Sequence, residues 1–140
     1  MMGRISILTC LLLVTVTAVM AQTKKPAVAA GRLAKGQALY KQHCMSCHQE
    51  NGSGVPRMNP PLIKTEYVLG DKNRLIGVLL KGLNEEVEIN GDYYSNPMPS
   101  QAALKDEEIA DILTYVRSSF GNKASAVAPA DVKKVRATIQ

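Results

Sequence analysis

The sequence is poor in large rings. Its 140 residues hold no tryptophan, one phenylalanine and five tyrosines. A chain of this length suffices for one domain, but with so few bulky side chains its core is small, and an apolar group buried at the centre would supply contacts that the side chains do not. Basic runs are also missing: the net charge is +5, yet no stretch of Lys or Arg exceeds two residues. With no basic stripe and no recognisable module, nucleic-acid binding is excluded and the charge reads as a solvated surface. Cysteine and histidine are scarce as well, with three and two respectively. There is no internal repeat, no βαβ pattern and no nucleophile–base constellation.

One long apolar run is present. Arg4 supplies a short positive start, and Ile5 to Ala21 carries no charge. Val19-Met20-Ala21 suits a signal peptidase, so residues 1–21 read as an export signal cleaved before Gln22; an uncleaved membrane anchor is the alternative, because the run is close to the shortest that spans a bilayer. Cys10 stands before most of the run and follows Thr9, which argues against a lipoprotein cysteine. The mature chain then keeps two cysteines, Cys44 and Cys47.

Those two lie in His43-Cys44-Met45-Ser46-Cys47-His48. Cys-x-x-Cys-His is the attachment signature of a c-type haem. Two thiols on one helical turn can each add to a haem vinyl group, and the adjacent His48 can then meet the iron from the same side. A thioredoxin-like pair needs a βαβ setting and no histidine here. Structural zinc needs two more ligands at similar spacing. A disulfide across so short a loop would constrain little of the unfolded chain. One covalent haem c, the bulky apolar group the composition calls for, is therefore the expected cofactor. Export and motif agree, since haem c is attached in exported compartments.

Residues 22–30 read as a small-residue, basic linker. Helix signals begin near Gly31, with Leu33, Gly36, Leu39 and Tyr40 at helical spacing, and run to about His43. Gly36 is costly inside a helix and marks the close approach of another. Asn51 to Leu62 is turn chemistry, closed to a helix interior by Pro60 and Pro61. A second helix fits Asp71 to Lys81 or Gly82, with Leu75, Ile76, Leu79 and Leu80 as its apolar face, Asp71 as cap and Gly82 as stop. Val87 to Tyr94, alternating around Asn90-Gly91, predicts a β-hairpin with a type I′ turn. Ser95 to Ser100 is a stiff extended loop. A third helix fits Asp106 to Phe120, with Ile109, Ile112, Leu113 and Val116 on one face and Gly121-Asn122 at its end. Residues 123–140 form an extension in which Asp131 to Ile139 fits one short amphipathic helix.

The ligand opposite His48 decides what such a haem does: methionine favours electron transfer, whereas an exchangeable site allows binding or catalysis. Outside the signal, three methionines remain: Met45 inside the thioether loop, Met58 and Met98. Met98 is preferred, because it lies far along the chain and is stiffened by Pro97 and Pro99; a gap-filling core methionine is the alternative, and Met58 is the other candidate. A ligating histidine donates its second ring N–H to a carbonyl or carboxylate. The Pro60 carbonyl is the candidate, with Pro61 next. His43 cannot easily reach the far face and is left a surface or helix-end role. Ser46 beside His48 is no dyad, since the imidazole is committed to iron. Lys35, Lys41, Lys64, Lys72 and Lys81 read as solvated charges, the alternative being a ring around the haem edge that steers an acidic partner.

From Gly31 to about Asn122 the sequence resembles the class I cytochromes c. Gly36 and Tyr40 stand eight and four residues before Cys44, where that family packs a glycine and an aromatic against its last helix. Ala110-Asp111-Ile112-Leu113-Thr114-Tyr115-Val116 is similar to the family's last helix, Pro60-Pro61-Leu62 to its Pro-x-Leu, and Met98 to its distal methionine. The stretch Leu75 to Asn122 is similar to monohaem domains found beside or fused to bacterial periplasmic dehydrogenases and respiratory enzymes. Lys105 departs from the usual Ser or Thr helix cap, and Asp106 is the expected substitute. The resemblance implies an all-α fold, three main helices around a covalent haem with a small hairpin before the distal Met loop. It implies an electron carrier, not an enzyme, with His48 and Met98 as axial ligands, Cys44 and Cys47 as thioethers, and Pro60 behind His48. Its partners would be a donor dehydrogenase and an acceptor oxidase or reductase in the periplasm, with membrane contact only if the N-terminal segment stays uncleaved. Two other readings remain open: a haem enzyme or gas sensor with a labile distal ligand, and a cytochrome subunit fixed to a larger oxidoreductase.

Overall fold

The computed structural model describes residues 25–139; the expected signal, with Cys10, lies outside them. Helix α1 spans Lys25–His43 and is followed by the single turn α2, Met45–His48. After a folded loop come α3 (Glu66–Leu69) and α4 (Lys72–Lys81), the hairpin β1 (Val87–Ile89) and β2 (Asp92–Tyr94), and then α5 (Asp106–Ser118) and α6 (Pro129–Ile139). The fold is mainly helical, as expected, with one antiparallel two-stranded ribbon. Among the described residues no helix is long and apolar enough to cross a membrane.

Helix α1 starts six residues before Gly31, inside the stretch read as a linker. Ala27, Ala29 and Ala30 favour helix, and Pro26 falls in the first turn, where its missing N–H costs nothing. At α4 Asp71 accepts from Asn73 N at 2.9 Å, and Gly82, at φ 76°, ends the helix. All four residues of its expected apolar face are buried, as are the four of α5. Asn90 and Gly91 both have positive φ, 56° and 88°, as a type I′ turn requires. Strand register pairs Val87 with Tyr94 and Ile89 with Asp92.

Two details differ from expectation. Asp106 does not cap α5. The Glu108 carboxylate accepts from Lys105 N at 2.9 Å, which is half of a capping box, while Asp106 pairs with Arg136 at 2.8 Å. The expected helix of the extension is present and starts earlier than its sequence pattern. Helix α6 begins at Pro129, two residues early, and packs on α4 and α5; Val127 and Val132 are completely buried.

The α1–α5 crossing organises the core. A Cβ on Gly36 would clash with the Asp111 carbonyl and stand 2.9 Å from Tyr115 Cβ. Four residues on, Tyr40 packs against Tyr115 and Phe120 with ring centroids 5.5 and 5.4 Å away, within the range of favourable tilted contacts. At the other end Arg32 donates to Asp111 at 2.6 Å and to the Val127 carbonyl at 3.1 Å. Buried Arg117 donates to Val68 O at 2.6 Å, to Ser125 O at 2.8 Å and to Gly70 O at 3.2 Å, stitching α3 and the tail to α5.

Candidate functional site

The crossing leaves an apolar crevice between α4, α5 and the loop after α2. Leu75, Leu79, Leu83, Ile112, Leu113 and Val116 are among its walls. A second hollow adjoins it and shares Cys44, His48, Pro60, Leu83 and Met98; Cys47, Pro97 and Pro99 lie on this outer side. The sequence-predicted site residues thus come together on one crevice.

Helix α1 delivers the first of them. The Cys44 amide donates to Tyr40 O at 2.9 Å, so the chain reaches the first thiol in helical register, and His48 N continues to Cys44 O at 2.9 Å. Neither cysteine is in a disulfide; Cys44 is half-buried and Cys47 exposed. Burial, and then the neighbouring Cys47, push the Cys44 thiol up to about 11.

His48 is buried, and its Nδ1 lies 2.9 Å from the Pro60 carbonyl oxygen. A carbonyl can only accept, so Nδ1 carries the proton and Nε2 is the nitrogen with a free lone pair. Burial lowers the His48 pKa while the Pro60 bond opposes that shift, and a neutral imidazole is the form that binds iron.

The loop after His48 is folded so as to deliver Pro60. Gly54 N donates to His48 O at 3.0 Å, Val55 N to Asn59 O at 2.8 Å and Leu62 N to Gly52 O at 2.8 Å. Gly54 has φ 66°, and a side chain there would strike the Asn59 and Pro60 carbonyls. Glycine is needed for both reasons. Asn122 closes the loop from the far end of α5, donating to Leu62 O at 2.9 Å and Val116 O at 2.8 Å and accepting from Lys64 N at 2.8 Å.

Met98 is held on the crevice by backbone pairing with Leu83, Met98 N to Leu83 O at 2.7 Å and Leu83 N to Met98 O at 2.9 Å. Just beyond it, Ser100 Oγ donates to Leu80 O at 2.6 Å and Gln101 N to Leu79 O at 2.7 Å, so the end of α4 fixes both flanks. Met58 is 49% exposed and is not among the crevice walls. Pro61 lines the crevice, but Pro60 supplies the contact to His48. His43 ends α1 at the outer rim. The lysines do not line either hollow; Lys35, Lys41 and Lys72 instead lie 3.6, 3.5 and 3.3 Å from Asp111, Glu50 and Asp131.

Two wall elements escaped the sequence reading. Helix α3 brings Tyr67 and Val68 to the crevice, and the signal for it was Thr65, whose Oγ1 caps Val68 N at 3.2 Å. Leu83, directly after the stop glycine, holds Met98 by its backbone alone, so its side-chain type gave no signal.

The residues fit a haem c. Cys44 and His48 line the apolar crevice, Cys47 lines the hollow beside it, and no buried side-chain N or O among the described residues lacks a partner, so the site offers sulfur and imidazole ligands to an apolar group.

Comparison with known proteins agrees. The family model for cytochrome c matches residues 33–120. Cytochrome c-552 of Thermus thermophilus is 41% identical over 113 residues, covering 74% of this chain and 86% of that protein. The cytochrome c subunit of the quinone alcohol dehydrogenase of Gluconacetobacter polyoxogenes is 35% identical over 74% of this chain and 22% of its own length. The fructose dehydrogenase cytochrome subunit of Gluconobacter japonicus is 36% identical over 73% of this chain and 22% of its own.

Proposed function

The chain belongs to the cytochrome c family and its cofactor is a covalent haem c, and from that premise we propose that it is an exported, monohaem electron carrier with a His48/Met98-ligated iron. The observation that carries the reading is the shared crevice of Cys44, Cys47, His48 and Met98, with His48 Nδ1 tied to Pro60 at 2.9 Å.

When bound, haem c supplies a one-electron iron couple. Cys44 and Cys47 hold it through thioethers, so it cannot dissociate during turnover. His48 binds through Nε2, and the Pro60 carbonyl fixes the ring and strengthens its donation. Met98 binds from the loop pinned to Leu83. The apolar walls would keep water away from the bound group. A redox partner comes within reach at the outer side, where Cys47, Pro97 and Pro99 lie. Export rests on the N-terminal apolar segment, and the periplasm is the compartment proposed.

The test is the absorption spectrum and redox titration of the purified holoprotein with added carbon monoxide. A methionine-ligated iron resists the gas, and Met98→Ala abolishes that resistance. Free binding by the wild type at neutral pH would replace the carrier with an enzyme or gas sensor whose distal ligand is labile. The dehydrogenase subunits among the relatives favour a second reading, a cytochrome fixed to a larger oxidoreductase. Co-purification from native membranes separates it from a free carrier that passes electrons between a dehydrogenase and an oxidase or reductase.

A further inference from the structure

The loop that carries Met98 is fastened on its C-terminal side by a part of the chain beyond the stretch matched by the family model. Arg136, on α6, donates from Nη1 to the Ala102 carbonyl, from Nη2 to the Leu104 carbonyl and from Nε to the Asp106 carboxylate, each at 2.8 Å. One guanidinium thus spans residues 102–106, the segment between the Met98 loop and α5. The loop has little to hold itself with: Pro97 and Pro99 lack an N–H, and its internal bonds are Leu104 N to Gln101 O at 3.0 Å and two contacts made by the Ser100 and Gln101 side chains.

Helix α6 is itself well seated. Val132 is fully buried, and Asp131 meets Lys72 of α4 at 3.3 Å. The chain from Met98 to Asp106 is therefore gripped from two sides, by the end of α4 through Leu83, Leu80 and Leu79, and by α6 through Arg136. A planar fork of five donors suits two carbonyls and a carboxylate held in fixed directions, whereas a lysine ammonium would serve them poorly.

We propose that Arg136 is a positioning residue for Met98: through α6 it keeps the Met98 loop closed on the crevice, and so sets how readily an outside ligand displaces the methionine. This rests on Met98 being the axial ligand. The experiment measures cyanide binding to the oxidised full-length holoprotein, the long-wavelength absorption band of methionine-ligated ferric haem and the urea midpoint, for the wild type, Arg136→Ala, Arg136→Lys, Asp106→Asn and Lys72→Ala. Cyanide entry should quicken roughly tenfold in Arg136→Ala, the equivalent of one charge-assisted hydrogen bond. It should quicken nearly as much in Arg136→Lys, and less in Asp106→Asn. Lys72→Ala removes one part-exposed ion pair while buried Val132 still seats α6, so it should lower the urea midpoint while leaving cyanide entry within about twofold of wild type. If Arg136→Ala does not fold, the Lys and Asn variants carry the same comparison. Equal cyanide rates in the wild type and the Arg136 variants, or an equal rise in Lys72→Ala, would overturn the proposal while the methionine band of the wild type still upholds Met98. A wild type without that band removes the Met98 reading, and this proposal with it.

Discussion

Gly36 and Asp111 meet backbone to backbone, and a methyl group on the glycine would clash with the Asp111 carbonyl. The obstacle is a helix backbone, which cannot rotate aside as a side chain can. Gly36→Ala should therefore destabilise the protein by about 1–3 kcal/mol, as overpacking does, although alanine is the better helix former by about 1 kcal/mol. Urea unfolding of the holoprotein measures it. A neutral or stabilising result would mean that α1 and α5 part easily, and that the crevice wall is softer than its packing implies.

Asn122 carries three hydrogen bonds from a buried position, two of them to the carbonyls of Leu62 and Val116. Asn122→Ala strands those groups and should cost about 2–3 kcal/mol. Because Leu62 ends the loop that presents Pro60, the same variant should weaken the hold on His48. The check is the urea midpoint together with the reduction potential, which a purely global effect on folding would leave in place.

Arg117 is 3% exposed, and its bonds run to the carbonyls of Val68, Gly70 and Ser125. Burial draws its pKa down, and Asp71 opposes the shift. Arg117→Met removes the donor from the buried Val68 carbonyl along with the bonds to Gly70 and Ser125, and should cost roughly 3 kcal/mol. Arg117→Lys should recover only part of that, since three donors on a flexible stem do not reproduce the fork. Thermal unfolding of the three proteins side by side decides the order.

These three residues mark where the sequence was and was not legible. Asp71, Gly82, Asn90 and Gly91 announce their structure because the signal and its effect lie within a few residues. The haem-binding hexapeptide was legible for the same reason, and Gly36 because its cost in a helix required a neighbour. Arg117 and Asn122 looked like an ordinary polar residue near a helix end and a helix-stop residue; their importance comes from Val68 and Leu62, 49 and 60 residues away. In the extension the helix over Asp131 to Ile139 is legible, whereas Ala126-Val127-Ala128 before it carries no pattern of its own. Val127 is buried through Thr114 and Arg32, at 3.2 and 3.1 Å from its carbonyl, which no local periodicity encodes. Asp106 was read as a cap for lack of any sign of Arg136, 30 residues on.

Asp131 gives the extension a dependence on pH. Its carboxylate accepts from Ala128 N at 3.0 Å, at the start of α6, and from Lys72 at 3.3 Å. The Ala128 bond first, and then Lys72, lower its pKa below the usual carboxylate range. A carboxylate whose pKa is lowered by folding adds stability above its unfolded pKa, near about 3.9, and loses it as the pH falls through the folded value. The contribution is therefore complete at neutral pH, begins to fall near about pH 4 and is gone only below the lowered, folded pKa. Asp131→Asn should cost about 0.3–1 kcal/mol at pH 7, the usual worth of an acidic group at a helix N-terminus, and the difference from wild type should shrink in acid and in high salt. Urea midpoints of both proteins between about pH 3 and pH 7 test this. A gap that stayed constant into acid would show that Asp131 acts by shape and not by charge.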